Sequence, residues 1–240
     1  MNGNYDGICS DLPALSSVCR RFGAKMFVDE AHGALYGQHP ALPLSALNNG
    51  AESVVNSFHK SAGSLTQSAV LHISKDSTID PQHFYNGIHQ LQTTSPLIFL
   101  FASMDAARAY LASDEGKDRV AMMVECSQRL KEQLANLRNV EVYIPDDPTS
   151  PHTQQDVTRF LIKVRGKTPK EVIRMCLDKY AIDPEKDTEK ATMFSFLIGH
   201  EREDYDRLYK VMREIDQDAN SWPELEDVPM RRLPEFPVVL

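Results

Sequence analysis

Short unbroken apolar runs alternate with amphipathic stretches along most of this chain. Residues 25–29 form one run around Met26, Phe27 and Val28 and end in Asp29. Residues 53–57 form a second, around Val54 and Val55, and lead directly into Phe58-His59-Lys60. Residues 69–73 form a third. Runs this short, without polar alternation, predict strands buried on both faces. Ahead of the first run, Asp11-Leu12-Pro13 predicts a helix start, with Asp11 capping free N–H groups and proline inside the first turn. Leu15, Val18, Cys19 and Phe22 follow at helical spacing, and Gly23 offers the stop. A loop rich in His, Gly and Pro covers 30–43, and 45–47 predicts a short helical turn. Helical spacing returns at 97–111 and 114–137. The remainder predicts a strand at 139–144, a loop at 146–155, a strand at 160–164, a helix from Thr168-Pro169 to about 180, a strand at 192–198 and a helix at 201–215.

Helix, apolar strand and loop in repetition predict an α/β fold. Residues 111–115 mark a boundary between a larger unit, 1–112, and a smaller α/β unit, 113–220. From Ser221 onward, 221–240 holds four of the fourteen prolines and is expected to lie over the surface. Open α/β sheets bind ligands beyond the carboxyl ends of their strands. Asp29 and the His59-Lys60 pair both fall at such ends.

Composition narrows the classes. The 240 residues are 42% hydrophobic and 25% charged, ordinary for a globular chain, which excludes a disordered tail, a collagen-like repeat or a coiled coil as the main structure. No apolar stretch approaches the roughly 18 residues that cross a bilayer, so no membrane association is expected. The first ten residues lack a basic and apolar leader, and a cytoplasmic location is expected. Net charge is −8, divided as −2 up to Tyr110 and −6 beyond it, so nucleic acid is not an expected partner. The four cysteines show no CxxC spacing and predict buried free thiols rather than a zinc site. Asp29-Glu30-Ala31-His32 matches a helicase tetrad, but no GxxxxGK[ST] segment accompanies it. His32, His39 and His59 lack metal-ligand spacing, and no metal is expected.

The pair that remains is Asp29 and Lys60. A lysine amine at a strand end can form a Schiff base with an aldehyde. An aspartate there can keep a pyridinium nitrogen protonated, which makes pyridoxal phosphate an electron sink. Ser57 and His59 flank the lysine and suit donation to a phosphate. A loop cap and a solvated surface charge account for Asp29 and Lys60 equally well, and spacing leaves both readings open.

Several segments in order carry a resemblance. They are Tyr5-Asp6-Gly7-Ile8, Phe27-Val28-Asp29-Glu30-Ala31-His32-Gly33-Ala34, His39-Pro40, Ser57-Phe58-His59-Lys60, Leu65-Thr66-Gln67-Ser68, Leu71-His72, Gln92-Thr93-Thr94-Ser95-Pro96 and Ser103-Met104-Asp105-Ala106-Ala107-Arg108. Lys179-Tyr180-Ala181-Ile182, Ile198-Gly199 and Glu203-Asp204 follow. Together they resemble the ornithine/lysine/arginine decarboxylases of the fold-type I pyridoxal phosphate superfamily, to about residue 215. The resemblance implies the carboxy-terminal part of the large, mainly parallel domain plus a small α/β domain. Strands, a phosphate-binding loop and a ring-stacking residue that precede this part in the family have no counterpart before Asn4.

The resemblance also implies roles. Lys60 is the Schiff-base lysine and Asp29 pairs with the pyridine nitrogen. Ala31 packs on the ring face, and His32 lies close to the cofactor as a third catalytic residue. Ser57 and His59 contact the phosphate, and Thr94, within 93–95, lies near a dimer interface. The implied cofactor is pyridoxal phosphate. The implied reaction is loss of carbon dioxide from lysine, arginine or ornithine to give a polyamine precursor, in a homo-oligomer of two or more subunits or with a subunit that supplies the missing half. Two other readings stay open: a non-catalytic paralogue or fragment that binds and regulates full-length subunits, and an aminotransferase or aldolase on the same fold.

Overall fold

The computed structural model describes residues 1–144 and 152–223. Near the amino terminus, β1 (Ile8–Ser10) pairs antiparallel with the distant β6 (His152–Gln155). Next, α1 (Leu12–Arg21) opens where Asp11 accepts a 3.0 Å hydrogen bond from the Ala14 N–H. Then β2 (Phe27–Asp29), β3 (Ser53–Asn56) and β4 (Val70–Ile73) form a sheet in the order β2-β3-β4. The β2–β3 pair is parallel and the β3–β4 pair antiparallel. One turn of helix, α2 (Phe58–Ser61), follows β3 at once.

Three helices lead out of this sheet: α3 (Pro81–Leu91), α4 (Ile98–Ala112) and α5 (Asp114–Leu134). Ser113 ends α4 and caps α5, its Oγ accepting from the Gly116 N–H at 3.1 Å. Gly116 is required there, because a Cβ would run into the Tyr110 carbonyl. The second sheet joins β5 (Val140–Tyr143), β7 (Arg159–Val164), β9 (Thr192–Ser195) and β8 (Lys186–Asp187) in the order β5-β7-β9-β8, all antiparallel. Between its strands, α6 (Pro169–Tyr180) opens on a reciprocal Thr168–Glu171 capping box, and α7 (Arg202–Asp218) closes the layer.

Alternate positions of β7, Phe160, Ile162 and Val164, face α5 and α7 and are essentially removed from solvent. Val120, Met123, Leu130, Tyr205 and Met212 meet them, with Phe196 stacked on Tyr205 at 3.8 Å. This cluster continues across Ser113 to Leu35, Leu42, Phe58, Ala62 and Leu111. A smaller cluster seats Leu12 of α1 against Met26, Val28 and Val54. Arg119 ties α5 to the link between β9 and α7, donating from Nε to the Ile198 carbonyl at 2.8 Å and in a fork to Glu201 at 2.7 Å.

The α/β class and the order of the long helices match the sequence pattern. Five elements do not. The sequence reading placed no strand at β1 or β8 and no helix at α2 or α3, and it assigned the residues of β6 to a loop. Both β1 and β8 are two- or three-residue strands too short to leave a pattern: β1 is defined by its distant partner β6, and β8 by pairing with the nearby β9. The α3 helix buries no residue, although Phe84, Ile88 and Leu91 recur at helical spacing and Asp80-Pro81 opens it, so its signal was present in the sequence. The expectation of strands covered on both faces is also corrected. Val28 and Val54 are buried, but their neighbours Phe27 and Val55 are 55% and 40% exposed. Helix α3 lies along that second face without closing it, with the Phe84 and Phe27 rings 6.0 Å apart and Ile88 and Leu91 across an open groove from Phe27 and Leu71. Residues 146–151 of the expected loop and 224–240 of the proline-rich tail lie outside the described residues. No described helix is long and apolar enough to cross a membrane.

Candidate active site

Parallel register brings the chemistry together. Phe27, Val28 and Asp29 sit opposite Ser53, Val54 and Val55, so β2 and β3 end at the same level. Backbone bonds extend the pairing past both ends. Glu30 N–H donates to Val55 O at 2.9 Å, and Ser57 N–H donates to Ala31 O at 3.3 Å. The Asn56 amide donates to Glu30 O at 2.7 Å. The Asp29-to-His32 turn and the Ser57-to-Lys60 turn are therefore clamped side by side.

Asp29 is exposed, and one carboxylate oxygen accepts the Ala31 N–H at 2.9 Å. Glu30 points the other way and is buried. Its carboxylate accepts from the Asn2 amide at 2.6 Å, the Ala46 N–H at 2.9 Å and the Ser45 hydroxyl at 3.3 Å. Burial pushes the Glu30 carboxyl above the usual range, opposed by those three donors. Glu30 is thus an internal clamp for the loop that follows β2.

His32 sits 6% exposed between two cations. Its Nε2 lies 3.1 Å from Lys60 Nζ, and its Nδ1 lies 3.1 Å from Arg159 Nη2. Burial, then the Arg159 and Lys60 charges, lower the imidazole pKa to about 4. Tyr5 meets the His32 ring edge-on, with centroids 4.4 Å apart. The Tyr5 ring also carries Lys186 Nζ at 4.5 Å and Lys60 Nζ at 5.9 Å from its centre.

Arg159, Asp156, Tyr5, Glu185 and Lys186 complete the group, and the sequence reading assigned none of them a role. Arg159 is 4% exposed, donates from Nη1 to Tyr5 O at 3.1 Å, and holds Nε 3.7 Å from Asp156 Oδ2. Its signal in the sequence was a charge heading the apolar run Phe160-Leu161-Ile162. Tyr5 OH donates to Glu185 Oε1 at 3.3 Å, and Ser195 Oγ donates to Glu185 Oε2 at 3.3 Å. Lys186 pairs with Asp6 at 3.3 Å. These partners come from β7, β8 and β9, far along the chain from Lys60.

The remaining expected residues are less centrally placed. His59 turns its Nδ1 to the backbone of Ser68, 2.8 Å from O and 3.2 Å from N. Thr94 is exposed in 92–97, between α3 and α4, and shares no described hydrogen bond with the Lys60 group.

Residues 1–191 match the family model for the Orn/Lys/Arg decarboxylase major domain. The chain belongs to the ornithine/lysine/arginine decarboxylase family. Among relatives of this decarboxylase-family chain, an arginine decarboxylase of Bacillus subtilis is 28% identical over 242 residues, covering 100% of this chain and 49% of that protein. An arginine decarboxylase of Halalkalibacterium halodurans is 36% identical over 134 residues, 56% of this chain and 27% of that protein. The chain therefore spans at most about half the length of these relatives. The constitutive lysine decarboxylase of Escherichia coli superposes with a TM-score of 0.75 at 20% identity, over 90% of this chain and 36% of that one. The chain thus shares the fold of part of that lysine decarboxylase.

Proposed function

We propose that this chain carries the lysine-bearing part of the active site of a pyridoxal phosphate-dependent decarboxylase acting on a basic amino acid. The observation that carries this reading is the shared carboxyl edge of β2 and β3, which sets Asp29 beside the turn bearing Lys60, with Lys60 Nζ against His32. The donor set fits the cofactor at two of its ends. A primary amine suits its aldehyde, and an exposed carboxylate with one oxygen already held by Ala31 suits its ring nitrogen. Ala31 places only a methyl group between Asp29 and His32. Ser57 supplies a hydroxyl at the start of the lysine turn, and His59 supplies the imidazole nitrogen that Ser68 does not occupy.

When bound, the cofactor supplies the electron sink for the pair left by departing carbon dioxide. Asp29 holds a proton at the ring nitrogen, and Lys60 provides the amine that anchors the group. Arg159 presents a buried cation beside the lysine and suits an anionic substrate group. Glu185, fixed by Tyr5 and Ser195, presents a carboxylate on the other side of the Tyr5 ring and suits the distal cation of lysine, arginine or ornithine. Residues of a second subunit are expected to complete the site.

The test is capture and turnover. Protein mixed with pyridoxal phosphate and reduced with borohydride is expected to carry the label on the Lys60 peptide, and Lys60→Ala to carry none. Carbon dioxide release from lysine, arginine and ornithine then ranks substrates. Folded protein without label at Lys60 overturns the reading, as does amino transfer without carbon dioxide. The half-exposed apolar face at Phe27 and Val55, with the exposed Leu91 of α3 beside it, favours one second reading, a subunit that functions bound to another chain. Sedimentation with a full-length family member distinguishes the two.

A further inference from the structure

Two buried polar atoms without partners meet at one cavity. Ser61 follows Lys60 at the end of α2, and its Oγ is buried with no hydrogen-bond partner among the described residues. Arg159 Nε, on β7, is buried and unpartnered in the same way. Asp156 Oδ2 lies 3.7 Å from that Nε, too far for a hydrogen bond. Ser61 and Arg159 line a largely enclosed cavity of about 10 Å³, together with Asp156 and Thr158. Native interiors rarely leave such groups unpaired, and each finds a protein partner or an ordered water. We propose that this cavity is a binding site for one ordered water, which bridges Ser61 Oγ, Arg159 Nε and the Asp156 carboxylate and so ties the turn bearing Lys60 to β7.

Size, polarity and closure agree with this occupant. A single water needs on the order of 10–15 Å³ of room and about three polar partners. Arg159 Nε–H donates, the Asp156 carboxylate accepts and the Ser61 hydroxyl does either, so one water can satisfy all three at once. Buried Leu42, Met123 and Phe196 wall the cavity elsewhere. The dry alternative is a direct bond from Nε to Asp156, and both side chains are anchored against it. Arg159 Nη1 donates to the Tyr5 carbonyl at 3.1 Å, and Nη2 lies 3.1 Å from His32 Nδ1. Asp156 Oδ1 accepts from the Thr158 N–H at 2.9 Å and the Thr158 hydroxyl at 2.7 Å, while the Asp156 N–H donates to Gly7 O at 2.8 Å. Gly7, at φ +79°, leaves the space that the Arg159 stem fills, since a Cβ there would lie 3.0 Å from Arg159 Cβ. On the other side, α2 is a single turn, secured by the Lys60 N–H to Ser57 O at 3.2 Å and the Ala62 N–H to Phe58 O at 3.0 Å. A water held at Ser61 gives this short turn a tie to a strand far along the chain.

The full chain, labelled with nitrogen-15 and free of cofactor, is read at its arginine Nε–H signals. Arg159→Lys identifies the Arg159 signal by its loss, or sequential assignment does so if that variant does not fold. The expected result is a dipolar cross-peak from Arg159 Nε–H to water, of opposite sign in the laboratory and rotating frames, as a long-residing water gives and proton exchange does not. An Arg159 Nε–H without this contact overturns the proposal. In Ser61→Val, methyl groups replace the hydroxyl and fill the cavity, and the contact is expected to be lost. A contact that persists in folded Ser61→Val overturns the proposal, and if that variant does not fold, the signal in the unsubstituted chain decides. The readout needs no cofactor, so loss of cofactor capture at Lys60 bears on the functional reading alone.

Discussion

Phe160 on β7 is fully enclosed, whereas Phe27 on β2 leaves 55% of its surface in solvent. Both belong to short apolar runs of the same character. Around β7, α5 and α7 close over Phe160 and Ile162, and their mutual contacts extend the core. Around β2, α1 covers Val28 on one face, while on the other α3 only partly shields Phe27 and Val55, which stay 55% and 40% exposed. The apolar sequence asks for burial, but a second layer has to be present to supply it. The Lys60 group draws on both regions. Its amine and Asp29 come from the half-covered sheet, and Arg159 and Glu185 come from the enclosed one.

The comparison predicts its own ranking of effects. Phe160→Ala should cost about 3–5 kcal/mol and leave little folded protein, measured by urea unfolding. Glu30→Ala strands the Asn2, Ser45 and Ala46 donors at the edge of the half-covered sheet. It should cost about 2 kcal/mol, and Glu30→Gln less, in the same measurement. A smaller loss on Glu30→Ala would mean that water already reaches this clamp.

The junction of the two regions should show itself in pH. His32 has a folded pKa of about 4 against 6.5 for the ordinary group, so the folded chain takes up this proton later than the unfolded chain. Its contribution is complete above the ordinary value and is lost as the pH falls from there towards 4. The urea midpoint of the unsubstituted chain should therefore fall more across that window than that of His32→Gln. Equal slopes would show that the imidazole is more open to solvent than its 6% exposure. The smallest effect is expected from Phe27→Ser, within about 0.5 kcal/mol, because little is buried there to lose. Its signature should instead be weaker self-association in sedimentation.

Much of this was legible along the chain. Helix α6 opens on Thr168-Pro169, and α5 runs from Asp114, as local capping chemistry and periodicity predict. Asp29 and Lys60 were legible because each terminates an apolar run. By contrast, β1 and β6 carry no local signal, since their pairing is made by residues far apart along the chain. Arg159 and Glu185 were silent for a related reason. A buried cation heading a strand reads as a solvated terminus until its partners Asp156, Tyr5 and His32 are seen around it. Sequence alone determined the class of fold, the decarboxylase-family resemblance and the placing of Asp29 and Lys60 just beyond apolar runs, because caps, periodicity and strand ends are local properties of neighbouring residues. Only the tertiary structure decided which apolar faces are covered, and that His32 stands between Lys60 and Arg159, because burial and hydrogen-bond direction are set by groups that meet from distant parts of the chain.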